Sequence, residues 1–175
     1  MTQIETSDIV SVGDYSSERR DVLSVLWAIT KGCNYQCSYC VYYKSLKNAE
    51  FSSREDLLRG ARTLLRLGRP GYQITLYGGE PTLHPHFEDL LGYLVAAQAP
   101  VSLRMYTNGS RSTGFFARMA ATARYAEFLV IFSLHHEFAN FERFVQSVEV
   151  TAGAGMSVGV SFMFAPSSAA LRTPR

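Results

Sequence analysis

The segment KGCNYQCSYCVYY, residues 31–43, is the stretch that decides how the rest of the chain is interpreted. It holds Cys33, Cys37 and Cys40 in a CxxxCxxC spacing, and the 175-residue chain has no other cysteine. An odd number of closely spaced thiols is more typical of a metal site than of disulfides. Because thiolates are soft ligands, they favour zinc, copper(I) or an iron-sulfur cluster.

The spacing alone leaves two kinds of metal site open. A structural zinc site is closed by four protein ligands and usually appears as two CxxC-like pairs. Here a histidine such as His84 or His135 would have to complete the set. A [4Fe-4S] cluster normally takes four cysteines. Three cysteines would leave one iron open to an exogenous ligand, and that iron is where chemistry could happen.

Away from the cysteines, apolar runs of strand length alternate with amphipathic helical segments. The apolar run at 22–29 predicts a strand directly before the cysteine segment. Further strands are expected at 72–77, 101–106, 127–133 and 157–164, and helices from Ser52 or Ser53 to about residue 65, at 87–95, at 113–124 and at 138–151. This order predicts right-handed βαβ units and a parallel sheet.

The second to fifth strands each alternate between an apolar and a partly polar face. The apolar face runs from Ile74 on the second strand to Val160 and Phe162 on the fifth, and it should lie under the helices. The partly polar face should line a cavity. Arg104 projects from that face and would be costly to bury unpaired. It either pairs with Glu80 or another acid, or binds a carboxylate or other anion of the substrate.

Four polar motifs follow the first four expected strands. They are the cysteine segment, GGEP at 78–81, TNG at 107–109 and SLH at 133–135. In parallel barrels the carboxyl ends of the strands carry the functional site. The four motifs are therefore expected to converge at one rim of the sheet.

These motifs resemble those of the radical S-adenosylmethionine (radical SAM) superfamily. The CxxxCxxC array, with Tyr39 just before its last cysteine, resembles that family's cluster loop, and GGEP resembles its GGE motif. The resemblance covers roughly residues 22–164. It implies an α/β fold, a partial (βα)6 TIM-type barrel of parallel strands that here ends after the fifth strand.

The resemblance also implies two cofactors, a [4Fe-4S] cluster and S-adenosylmethionine. By this resemblance, Cys33, Cys37 and Cys40 would ligate three irons of the cluster, and the methionine half of S-adenosylmethionine would chelate the fourth iron. Reductive cleavage would then yield a 5′-deoxyadenosyl radical that abstracts hydrogen from a substrate. The cofactor-binding residues that the resemblance implies are Tyr39, Gly78, Gly79, Glu80, Asn108, Ser133 and His135. No catalytic residue is assigned.

The carboxyl-terminal part departs from the family pattern. The fifth-strand motif is only echoed by residues 158–160, its acidic residue is absent, and residues 166–175 read as an irregular tail. We therefore expect a lead-in at 1–20 and an incomplete core domain at 21–165. A partner that completes the barrel, an inactive cluster-binding subunit and a zinc-binding module are the alternatives to an active enzyme.

Composition limits the other functions. The net charge is only +2, with dispersed basic residues, which does not favour nucleic acid. No apolar stretch reaches the length of a membrane span, and residues 1–20 lack the pattern of a signal peptide. We expect a cytoplasmic protein that acts on a small molecule or a peptide and receives electrons from a reductant such as flavodoxin or ferredoxin.

Overall fold

A computed structural model of the protein describes residues 21–40 and 51–163. The elements are β1 (Val22–Thr30), α1 (Arg54–Leu65), β2 (Gly71–Gly78), a short 3₁₀ helix (Pro81–Leu83), α2 (Phe87–Val95), β3 (Val101–Thr107), α3 (Thr113–Thr122), β4 (Glu127–His135), α4 (Phe141–Gly153) and β5 (Ser157–Met163). The expected lead-in at 1–20 and tail at 166–175 lie outside the described residues.

The five strands form one sheet in the order β1-β2-β3-β4-β5, and every neighbouring pair is parallel. Each connection between consecutive strands that the structure describes in full carries a helix. The α/β fold with parallel strands is therefore as predicted. The sequential strand order is also that of a barrel wall, since each strand pairs with the next one along the chain.

Side-chain caps determine where the helices begin. Ser53 accepts a hydrogen bond from the Asp56 amide and starts α1, and Ser112 caps α3 in the same way. Asn140 caps α4, so this helix begins at Phe141, later than the expected residue 138. The preceding residues form a turn that closes on the carbonyl of His135.

The core lies between the sheet and its helices. On the central strands the apolar face is buried as predicted, with Ile74, Met105 and Val130 all fully shielded from solvent. The prediction is wrong for the far end of β5, where Val160 is 45% and Phe162 60% exposed. The reason is that β5 is an edge strand, and no helix follows it within the described residues.

The opposite face of the sheet is open. Leu26 on β1 is 65% and Tyr106 on β3 is 44% exposed, and Arg104 is exposed beside them. No helix among the described residues is long and apolar enough to cross a membrane.

Candidate functional site

The ends of four strands surround one cavity of about 300 Å³. The cysteine segment follows β1, and the other walls come from the carboxyl ends of β2, β3 and β4. Nine of the residues predicted from the sequence line it, namely Cys33, Cys37, Tyr39, Cys40, Gly78, Gly79, Asn108, Ser133 and His135. The expected convergence at one rim is thus what the structure has.

Three further residues of this cavity were not predicted as site residues from the sequence. Tyr35, Tyr106 and Thr107 also line it. Tyr106 could have been found, because it lies on the partly polar face of β3, two residues beyond Arg104. Thr107 is the first residue of the TNG motif, whereas no pattern in the sequence indicates Tyr35.

The thiols lie in a shielded part of the rim. Burial raises the pKa of Cys33 to about 11, and burial also raises the pKa of Cys37. The Cys33 sulfur accepts hydrogen bonds from the Tyr35 amide at 3.4 Å and from Asn108 Nδ2 at 3.9 Å. Both thiols are therefore protonated at neutral pH, and a metal that binds them has to displace protons.

The donor set fits an iron-sulfur cluster by its chemistry. Three soft sulfurs face the cavity, and none of the described residues that line it is acidic. Within the described residues, no three His, Cys, Asp or Glu side chains are grouped so that they could hold one metal ion. The three thiols share one cavity without closing around a single ion.

Gly78 and Gly79 lie against the backbone that enters the cysteine segment. The Gly79 amide donates to the Thr30 carbonyl at 2.9 Å, and the Glu80 amide donates to the Gly32 carbonyl at 2.7 Å. A Cβ at Gly79 would lie 2.6 Å from the Gly32 carbonyl carbon and 2.7 Å from the Lys31 oxygen. The chain itself therefore requires glycine here, whatever else approaches the motif.

Gly78 has a second reason to be glycine. Its φ of +132° lies in a region that other residues rarely adopt, and a Cβ there would collide with the Thr30 carbonyl oxygen. Gly78, which was expected to bind a cofactor, thus makes its close backbone contact first to β1.

The Glu80 carboxylate points away from the cavity. It is 1% exposed, and its Oε1 accepts hydrogen bonds from the Thr82 amide at 3.0 Å, the Thr82 hydroxyl at 2.6 Å and the Thr107 hydroxyl at 2.8 Å. Its Oε2 accepts from the Asn108 amide at 2.6 Å. Burial raises the pKa of Glu80, while these hydrogen bonds lower it. Glu80 thereby joins the end of β2 to the end of β3.

Asn108 extends this connection to the cysteine segment. Its Nδ2 donates to Asn34 Oδ1 at 3.0 Å as well as to the Cys33 sulfur, and its Oδ1 accepts from the Ser110 amide at 3.0 Å. Asn108 therefore orients the first cysteine directly.

The end of β4 forms the opposite wall. His135 Nδ1 lies 2.9 Å from the Tyr39 hydroxyl oxygen, and the two rings stack with centroids 6.0 Å apart. Ser133 Oγ lies 2.9 Å from Ser161 Oγ on β5. Burial lowers the pKa of His135, so its ring is neutral at physiological pH.

Arg104 lies in a different cavity. It contributes to a space of about 800 Å³ at the amino-terminal side of the sheet, together with Gln73, Ser102 and Glu127. The expected pairing with Glu80 is wrong, because the Glu80 carboxylate is occupied by the amides and hydroxyls near it. Arg104 and Tyr106 lie on the same open face of the sheet. Tyr106 is two residues nearer to the carboxyl end of β3, where the cysteine cavity lies.

His84 does not line the cavity that the three cysteines share. Its Nδ1 accepts from the His86 amide and its Nε2 lies 3.1 Å from Ser52 Oγ, and the residue is 2% exposed. Both ring nitrogens are engaged, so the version of the zinc site that used His84 is wrong.

A parallel α/β sheet that presents three thiols and a glycine pair at its strand ends is the architecture of TIM-type barrel enzymes that hold a cofactor at one rim. The model of the radical SAM superfamily matches residues 27–164. The chain belongs to the radical SAM superfamily. The predicted family and its parallel α/β fold are thereby confirmed, as are the two cofactors that this family of enzymes uses, a [4Fe-4S] cluster and S-adenosylmethionine.

Curated relatives are similar over about half of the chain. The GTP 3′,8-cyclase of Haemophilus ducreyi is 32% identical over 87 residues, which cover 48% of this chain and 25% of that protein. The GTP 3′,8-cyclase of Pectobacterium atrosepticum is 33% identical over 88 residues, covering 48% and 26%. The matched part thus spans about a quarter of these relatives.

Solved structures share the fold over most of the chain. The enzyme anSMEcpe with bound AdoMet and the Cp18Cys peptide has a TM-score of 0.62 at 18% identity, covering 79% of this chain and 42% of that one. BtrN in complex with AdoMet and 2-DOIA has a TM-score of 0.61 at 17% identity, covering 81% and 56%. Streptococcus suis SuiB bound to the precursor peptide SuiA has a TM-score of 0.61 at 17% identity, covering 83% and 34%.

Proposed function

We propose that this chain is a radical SAM enzyme that uses a [4Fe-4S] cluster and S-adenosylmethionine to abstract hydrogen from a peptide or small-molecule substrate. The observation that carries the proposal is the meeting of nine predicted residues, from four separate strand ends, around one cavity. When bound, the cluster and S-adenosylmethionine supply reductive cleavage of a carbon-sulfur bond and a reactive carbon radical. The protein supplies binding and position.

The cysteines and the glycine pair have the first roles. Cys33, Cys37 and Cys40 would hold three irons. Gly78 and Gly79 would present backbone groups to the methionine part of S-adenosylmethionine, since they line the cavity without side chains. Glu80 was also expected to bind a cofactor. Its hydrogen bonds within the protein favour instead a role in holding the β2 and β3 ends together.

The remaining polar residues would orient the nucleoside. Tyr39 would contact adenine, and Ser133, Asn108 and His135 would bind ribose or carboxylate groups, because all four face the cavity. A neutral His135 can donate or accept but does not repel a sulfonium by charge.

The proposal extends to the substrate, the reductant and the cellular location. Arg104 would bind a carboxylate or other anion of the substrate on the open face of the sheet, towards its amino-terminal side, since it is exposed there in a cavity of about 800 Å³. A flavodoxin or ferredoxin would deliver the electron. A reducing compartment, the cytoplasm, suits three free thiols and a reducible cluster.

A second candidate function rests on the edge of the sheet. Val160, which is exposed on the edge strand β5, favours a chain that binds the cluster but needs a partner to complete its barrel. Such a chain would take up iron and sulfide, yet its cluster spectrum would not respond to S-adenosylmethionine.

The experiment measures 5′-deoxyadenosine formed by the anaerobically reconstituted and chemically reduced protein given S-adenosylmethionine. The Cys37→Ala variant should lose the product together with iron. Ser157→Ala, an exposed substitution at the amino-terminal end of β5, is the control and should keep it. A full complement of iron and sulfide without any product would refute the enzymatic proposal and favour the second candidate.

A further inference from the structure

The middle of the cysteine segment is attached to the turn between β4 and α4. The Glu137 carboxylate accepts a hydrogen bond from the Ser38 amide at 2.7 Å through Oε2 and from the Ser38 hydroxyl at 2.5 Å through Oε1. The two residues are 99 positions apart in the chain. Both oxygens of one carboxylate are therefore used to bind a single residue of a distant loop.

Two aromatic contacts lie beside this pair. The Tyr39 hydroxyl meets His135 Nδ1, and the ring of Tyr35 stacks on Phe138 with centroids 5.5 Å apart. We call the pair Ser38–Glu137 with these two contacts the loop latch. Its members lie within residues 35–39 on one side and 135–138 on the other, so they bind one loop to one turn.

The loop latch lies next to Cys37 and Tyr39, two of the residues proposed to bind the cofactors. Ser38 lies directly between Cys37 and Tyr39, so the hydrogen bond from its amide restrains the peptide plane shared with Cys37, and the hydrogen bond from its hydroxyl restrains its side chain beside Tyr39. Residues 31–40 have no regular secondary structure. Their entry is held by the amides of Gly79 and Glu80, and their middle is held by Glu137.

We propose that Glu137 is a positioning residue for the cluster loop, acting through Ser38 on the orientation of Cys37 and Tyr39. This inference rests on the proposed cluster-binding function for its consequence, but not for the contact itself. A charge-assisted pair of hydrogen bonds restrains the geometry of a short loop more than a single neutral one does. Without it the second thiol and the aromatic ring would be held only by the flanking contacts.

The first test needs no cluster. Amide hydrogen exchange is followed in the metal-free protein for the peptide that contains Ser38, in the wild type, in Glu137→Ala and in Glu142→Ala. Glu142 is an exposed acid in the first turn of α4, so its variant removes the same charge nearby without touching the loop. We expect exchange at Ser38 to become at least about threefold faster in Glu137→Ala only. Equal rates in the two variants would overturn the latch.

The second test asks whether the latch positions the ligands. After anaerobic reconstitution, loss of iron to a ferrous chelator is timed, and the electron paramagnetic resonance spectrum of the reduced protein is recorded. Glu137→Ala should release iron about three- to fivefold faster and show an altered spectrum, whereas Glu142→Ala should match the wild type. Faster amide exchange with unchanged iron release and an unchanged spectrum would refute the positioning role.

A double variant separates the pair from general loosening. If Ser38 and Glu137 act together, Ser38→Ala combined with Glu137→Ala should exchange and release iron no faster than Glu137→Ala alone. Additive effects would contradict the pair. A wild-type protein that takes up no iron or sulfide would refute the cluster-binding proposal, and the amide exchange would still decide whether the latch exists.

Discussion

Replacing Gly79 by alanine tests whether the glycine pair is needed by the fold before any ligand binds. The added Cβ would lie 2.6 Å from the Gly32 carbonyl carbon and 2.7 Å from the Lys31 oxygen, both of which are backbone atoms. Backbone cannot move aside as the end of a flexible side chain can. The strand end must shift, and the hydrogen bonds from the Gly79 and Glu80 amides to β1 and the loop must lengthen or break.

The expected cost follows from these contacts. Forcing extra volume into a packed site costs about 1–3 kcal/mol, and each of the two backbone hydrogen bonds is worth about 1 kcal/mol. We therefore expect Gly79→Ala to lower the free energy of unfolding by about 3–5 kcal/mol. That is a large share of the stability of an ordinary domain, which is about 5–15 kcal/mol.

Urea unfolding of the metal-free protein measures this cost, with Gly92→Ala as the matched control. Gly92 lies within α2, and a Cβ there would meet nothing within 4 Å. The same chemical change should stabilise the protein there by up to about 1 kcal/mol, because alanine is the better helix former. If Gly79→Ala unfolds at the same urea concentration as the wild type, the contact between the glycine pair and β1 is not as described.

Two further predictions concern buried polar side chains. Glu80→Gln places an amide group where the carboxylate accepts hydrogen bonds from the Asn108 amide or from the hydroxyls, so it should lower the free energy of unfolding in urea by about 2–4 kcal/mol. The exposed Glu88→Gln should lower it by less than about 1 kcal/mol. Equal losses in the two variants would contradict the described network. Burial lowers the pKa of His84, so the unfolded chain binds a proton that the folded protein does not as the pH falls below about 6.5. Stability present above that pH is lost on acidification, and His84→Gln should flatten the dependence of the melting temperature on pH between 5 and 7; an unchanged slope would show that His84 is not shielded.

The sequence predicted the fold because the hydrophobic pattern of each strand agrees with the position of the motif that follows it. Each strand of the sheet is an apolar or alternating run of the right length, and each motif falls where such a run ends. Parallel strands then require the motifs to meet at one edge. The resemblance to the radical SAM motifs named nine of the residues that line the cavity, and the strand pattern explains why they meet there.

What the sequence could not predict depends on side-chain direction and on distant neighbours. The GGE motif does not indicate that the Glu80 carboxylate turns towards Thr107 rather than into the cavity. Glu137 belongs to no motif, and its contact with Ser38 depends on how the β4–α4 turn lies over the loop. The exposure of Phe162 depends on what covers an edge strand, which alternation along that strand does not reveal.

The GGE motif is best understood as a connector of three strand ends. Its second glycine and its glutamate donate backbone amides to the end of β1 and the start of the cysteine segment, and the glutamate carboxylate accepts the amide of Asn108 at the end of β3. Asn108 in turn donates to the sulfur of Cys33. A substitution at Glu80 would therefore disturb the first thiol through Asn108 even if the carboxylate never touched a cofactor. Loss of cofactor binding in such a variant is consequently weak evidence for direct contact, because a change at the cavity wall reports on the ligand itself only where it leaves the hydrogen bonds within the protein intact.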